Sequence, residues 1–163
     1  MKKFKLTSEF IVDISGVKLF RIKALIEFGN VKAGDLGGYI EKEENLSHMG
    51  NAWVSGNAQV SGDARVFGDA RVFGNAQVSG DAQVFGDARV SGDKDYAYAH
   101  GFGSCNRTTT FFRLKDGDVG VRCGCFYGTL AQFRDNVCET HGETKKAQEY
   151  LMLADLMDFR FKN

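Results

Sequence analysis

Between Asn51 and Gly92 the chain repeats one six-residue pattern seven times: NAWVSG, NAQVSG, DARVFG, DARVFG, NAQVSG, DAQVFG, DARVSG. The first position is Asn or Asp, the second always Ala, the fourth always Val and the sixth always Gly. Ala and Val stand two apart, which puts both on one face of an extended segment. That face is the inside, small at Ala and bulky at Val. The recurrent Gly adopts positive φ without strain, as a sharp corner requires. The Asn or Asp after it suits the same corner, because its side chain can bond its own backbone. A fixed period this short specifies a solenoid whose neighbouring coils bury one another.

The pattern resembles the hexapeptide repeat of left-handed parallel β-helices, in which an aliphatic and a small residue point inward. The resemblance implies three hexads per coil, so that the residue about 18 further on lies directly above. Trp53, Arg71 and Arg89 then form one ladder, Gln59 and Gln77 a second, and Phe67 and Phe85 a third. Ser55, Phe73 and Ser91 form a fourth. Phe67, Phe73 and Phe85 stand at the outward fifth position, and an exposed aromatic ladder marks an interface, covered either by the terminal units or by sister subunits in a dimer or trimer. Seven hexads make little more than two coils, so both ends need caps.

Charge narrows the partners. Lys plus Arg number 21, as do Asp plus Glu, so no global field attracts nucleic acid or anionic lipid. The repeat holds four Asp against three Arg, too few acids to imitate DNA. No apolar run is long enough to cross a bilayer, and the Met-Lys-Lys start does not read as a signal peptide. The four cysteines lie outside the repeat in no secreted framework, which points to a reducing cytosol.

Three regions follow. Residues 1–44 read as an N-terminal β cap, with a hairpin of strands 11–14 and 17–24 about Ser15-Gly16. Its glycine-rich segment 33–40 reads as a tight bend that starts the first coil. Residues 45–98 form the coil. Degenerate hexads flank it, with His48 at the Val position of one and Tyr96 at that of the other. Residues 99–163 read as a small ββαα unit, with strands at 108–114 and 119–125. A helix opens at the Thr129 capping box and ends at Gly142, and a last helix spans 144–159. The expected fold is mainly β: a short left-handed parallel β-helix with a β cap and an α+β tail.

The whole chain resembles a group of phage and prophage proteins. In these, KAGDLGGYIEKEENLSH leads into a run of hexapeptides, and a tail follows with GSCNRTTTFF, CGCFYGTL and ETHG, here between Gly103 and Gly142. The resemblance implies phage origin, hence the cytoplasm of an infected or lysogenic bacterium. It brings no shared activity.

The tail holds the densest set of polar and reactive types. Arg107, Thr108, Thr110, Arg113 and Arg122 surround the expected strand-to-helix turn, with Tyr127 and Thr129 inside it. A helix start offers free N–H groups and partial positive charge, and arginines hold anions bidentately. This favours a non-enzymatic protein that captures a small anionic ligand, a nucleotide, with Tyr127 stacking on the base. Sequestering a host defence signal is one use for such a pocket. The bland reading makes the Thr run an ordinary strand whose arginines reach to solvent.

Two alternatives stand beside it. One is an inhibitor that blocks a host protein with the flat coil faces. The other is a hexapeptide acyltransferase, against which the clean repeat carries no His and no inserted loop. Cys123, Cys125, Cys138 and His141 are candidate zinc ligands, but their spacing is not that of a structural zinc site. No metal or cofactor is expected.

Overall fold

The computed structural model describes residues 2–103 and 107–162. Strands β1 (Phe4–Val12) and β2 (Lys18–Ala24) form an antiparallel hairpin about the turn at Gly16. Strand β3 (Leu36–Ile40) pairs antiparallel with β2 and parallel with the coil. Gly34 makes the expected bend, in a turn with φ +95°, but Gly37 and Gly38 are strand residues. Gly37 and Gly38 are buried because the coil passes too close for a side chain: a Cβ on Gly37 would lie 2.7 Å from Trp53, and one on Gly38 2.7 Å from the Ala58 carbonyl.

The repeat follows as seven two-residue strands, β4 (Trp53–Val54), β5 (Gln59–Val60), β6 (Arg65–Val66), β7 (Arg71–Val72), β8 (Gln77–Val78), β9 (Gln83–Val84) and β10 (Arg89–Val90). They stack in parallel in three sets, β3-β5-β8, β4-β7-β10 and β6-β9, each strand 18 residues from the next within the repeat. Trp53 lies beside Arg71 and Arg71 beside Arg89, and Gln59 pairs with Gln77, as the ladders require. All seven Ala and all seven Val side chains are inside, none more than 1% exposed. At one corner Asp69 Oδ1 accepts the Asn51 N–H of the preceding coil at 3.3 Å.

The flanking hexads depart from expectation. Leu46, not His48, occupies the Val position beside Val66, because two extra residues separate it from the next corner. His48 instead stacks on Phe4 at 4.2 Å and meets Glu43. At the other end Tyr96 is buried in the coil's core, yet it already begins a new strand.

That strand, β11 (Tyr96–Phe102), opens a four-stranded antiparallel sheet with β12 (Arg107–Arg113), β13 (Val119–Cys123) and β14 (Phe126–Thr129). The tail thus has two strands more than the expected ββαα. Helices α1 (Leu130–His141) and α2 (Lys145–Phe161) cover one face of this sheet, and the coil covers the other. Thr129 and Gln132 form the expected capping box, and Gly142 ends α1 with φ +59°. No helix among the described residues is long and apolar enough to cross a membrane.

Candidate functional site

Strand alternation decides what the tail residues can do. Along β12 successive side chains face opposite sides of the sheet. Thr110 and Phe112 meet the coil, and Thr109, Phe111 and Arg113 meet the helices. The seven residues proposed from sequence to share a ligand are therefore divided between two faces.

The coil-facing group completes the solenoid. Every rung donates its N–H groups forward to carbonyls of the next coil, as Trp53 does to Ala70 and Arg71 to Ala88. The first coil is left with carbonyls to satisfy and the last with N–H groups, and buried backbone polar groups need partners. At the first end Lys3 Nζ donates to the Ala52 carbonyl at 2.7 Å, and Asn45 Nδ2 to those of Gly62 and Ala64. At the far end only acceptors serve. Thr110 Oγ1 accepts the Gln83 N–H at 2.9 Å, the Tyr127 hydroxyl that of Asp87 at 3.3 Å, and Asp95 that of Ser91 at 2.9 Å. The Tyr98 and Tyr127 hydroxyls rest on corner glycines Gly80 and Gly86, where a Cβ would collide with them.

Arg122 belongs to the same layer. Its guanidinium lies 4.6 Å from the Phe85 ring and 5.4 Å from that of Phe67, held by cation–π attraction. Tyr127 meets Phe85 edge-on at 4.9 Å. Of the two covers expected for the Phe67–Phe85 ladder, a terminal unit and a sister subunit, the chain's own tail is the one that lies over it. Phe73, the third member of that expected interface, is 37% exposed.

Two more of the seven have structural partners. Arg113 pairs with Asp95 at 3.4 Å and donates to the Phe161 carbonyl at 3.0 Å, tying sheet to α2. Burial alone would raise the Asp95 carboxyl, but the Ser91 N–H and hydroxyl and the Arg113 guanidinium outweigh it and hold the pKa below the usual range. Thr129 accepts the Gln132 N–H while Gln132 accepts that of Thr129, so the start of α1 is already capped. Thr108 is 2.8 Å from His100 Nδ1.

Arg107 is placed differently. It lines a cavity of about 350 Å³ between the end of the sheet and the two helices. The polar groups around it include Asn136, Thr140, His141 and Tyr150, and Phe126, Phe133 and Val137 form its apolar wall. Two glycines shape the site. A Cβ at Gly124 would meet the Arg107 guanidinium, and one at Gly103 the Tyr150 hydroxyl. Gly124 also has φ +59°, so both space and conformation call for glycine there. Burial, and then the Cys123 sulfur 3.7 Å away, push the Tyr150 phenol up, so it stays protonated and can donate. A mixed apolar and polar cleft of this volume is of the size that takes a small ligand.

Of the zinc candidates, Cys123, Cys125 and His141 line this cavity, whereas Cys138 is exposed and off its lining. Among the described residues no group of three or more His, Cys, Asp or Glu is placed to hold a metal ion. Cys105 lies outside the described residues. Sequence reasoning missed Asn136, Thr140 and Tyr150. Their signal was weak, since the first two flank the apolar stripe of α1 and Tyr150 lies on that of α2.

The fold and its parallel stacks define a repeat-built β-solenoid carrying a capped α+β tail. More particularly, residues 58–72, 64–80 and 82–93 match the family described as the YdcK beta solenoid repeat. The match lies within the coil and does not reach the cavity. No curated protein matches the chain.

Proposed function

We propose that this protein captures a small anionic ligand, a nucleotide, in the tail cavity and does so without catalysis. The observation that carries the reading is the convergence of Arg107 with an amide, a hydroxyl, an imidazole and a buried phenol around an aromatic wall. Arg107 would hold phosphate or carboxylate, the rings of Phe126 and His141 would offer faces to a base, and Asn136 would bond its edge. This narrows the binding set expected from the sequence to Arg107 and relocates the rest of the ligand's contacts onto Phe126 of β14 and onto α1 and α2.

In the phage setting that the sequence resemblance implies, such a pocket would withdraw a host signal nucleotide from the cytoplasm. We read the coil that carries it as left-handed, the hand the hexapeptide resemblance implies. The acyltransferase alternative has no support in the site, which lies in the tail rather than in a groove beside the coil.

Titration of the purified protein with AMP, with ATP and with inorganic phosphate tests the reading. Arg107→Ala is expected to weaken phosphate-dependent binding by about tenfold or more, the worth of a charge-assisted contact. Undiminished affinity in that variant sinks the assignment. Native mass spectrometry of protein taken directly from cells would show whether a ligand of this class is already bound.

A further inference from the structure

The last helix has two apolar faces. Ala147, Tyr150, Ala154, Met157 and Phe161 are buried against the sheet and α1. Opposite them stand Met152, Leu156 and Phe159, at i, i+4 and i+7, exposed by 69%, 55% and 78%. At about 100° per residue this second stripe points directly away from the buried one. A three-residue apolar stripe on the solvent side of an amphipathic helix has no role in folding the monomer.

The charges beside the stripe say what covers it. Glu149 and Arg160 lie on the same flank, three helical turns apart, one at each end. Among the described residues Glu149 has no ion-pair partner, and Arg160 meets only the carbonyls of Asp93 and Tyr96. On the other flank Asp155 is already paired with Arg134 of α1 at 2.6 Å. In two antiparallel helices related by a two-fold axis, equivalent flanks face each other with their ends exchanged. Each Glu149 then meets the opposite Arg160, twice over. In a parallel pair each flank faces the opposite flank of the partner at the same height, so Glu149 and Arg160 would not meet.

We infer that the exposed face of α2 is a homodimer interface, formed by antiparallel pairing of α2 with a second copy about a two-fold axis near residues 154–155. The three apolar side chains of each copy interdigitate at its centre, and the two Glu149–Arg160 pairs close its rim. The stripe is short, so the dimer is weak, with a Kd on the order of 10–100 µM. This inference is independent of what the tail cavity binds.

Sedimentation equilibrium of the full chain, from about 5 to about 500 µM, tests it. The expected result is a reversible monomer–dimer equilibrium. Leu156→Glu, at a site already more than half exposed, weakens the dimer by tenfold or more while leaving the far-ultraviolet circular dichroism unchanged. Glu149→Arg weakens it severalfold, and adding Arg160→Glu restores it. A wild-type chain that stays monomeric throughout overturns the inference, as does a dimer insensitive to Leu156→Glu. Failure of the charge exchange to restore a dimer weakened by Glu149→Arg overturns the antiparallel arrangement, and with it the proposal.

Discussion

Lys3 shows how one side chain can close a fold. It is almost wholly buried, its ammonium bonded to the carbonyls of Ala52 and Gly50 and set 4.6 Å from the Phe28 ring. A parallel coil begins with carbonyls that have no rung to donate to them, and an ammonium is a compact source of three donors. Burial, and then the nearby Arg71 charge, lower its pKa from 10.5 to about 8. Between those two pH values the unfolded chain binds the proton and the folded chain does not. Stability from this group therefore rises as pH rises through that window, by about 3 kcal/mol. The neutral amine still donates to the carbonyls. Urea unfolding of wild type and Lys3→Met at pH 7.5, 9 and 10.5 should show the wild-type advantage growing by that amount. Parallel pH profiles for the two proteins would refute this account of Lys3.

At the scale of elements, the tail sheet works as the lid of the coil's donor end. Thr110 and Tyr127 supply the oxygens that the last rung needs, and Phe112, Tyr127 and Arg122 fill the space over Phe67 and Phe85. Thr110→Val keeps the shape and removes the acceptor, leaving the Gln83 N–H buried and unpaired. A loss of about 1–3 kcal/mol is expected, with faster amide exchange at Gln83 and its neighbours, and Thr110→Ser should recover much of it. Unchanged exchange at Gln83 would show that this bond does not hold the lid. The division of β12 into two faces was legible in RTTTFFR, because alternation in a strand is fixed. Which face meets which layer was not, since coil and helices both offer apolar surfaces. For that reason residues grouped as one site from their nearness in sequence are separated in space.

For the molecule as a whole, the period of 18 residues joins the two ends. The N-terminal hairpin, Lys3 and Asn45 fit one set of corners, and the tail fits another, in fixed angular relation. Removing residues 69–86 takes out one full coil and preserves that relation. Such a chain should fold cooperatively, with a lower Tm because fewer rungs are stacked. Removing the single hexad 75–80 instead turns the caps by about 120° with respect to each other, by the three-hexad coil. Thr110 and Tyr127 then face the wrong rung, and the cooperative transition should be lost. Calorimetry of the two deletions decides between them, and equal behaviour would refute the register argument.

The hexapeptide run by itself determined the stacking period, the buried Ala and Val, and the ladders from Trp53 to Arg89, because each follows from local periodicity. The capping box at Thr129 and the stop at Gly142 were likewise written in short-range chemistry. Tertiary structure alone decided the ends. Leu46 displaced His48 because a two-residue insertion is absorbed where the hairpin meets the first coil. Phe67 and Phe85 became a docking surface because a sheet far along the chain folds back over them. The cavity beside Arg107 exists because α1, α2 and the end of the sheet leave space where they meet, and such a space depends on packing between distant segments rather than on any one stretch of sequence.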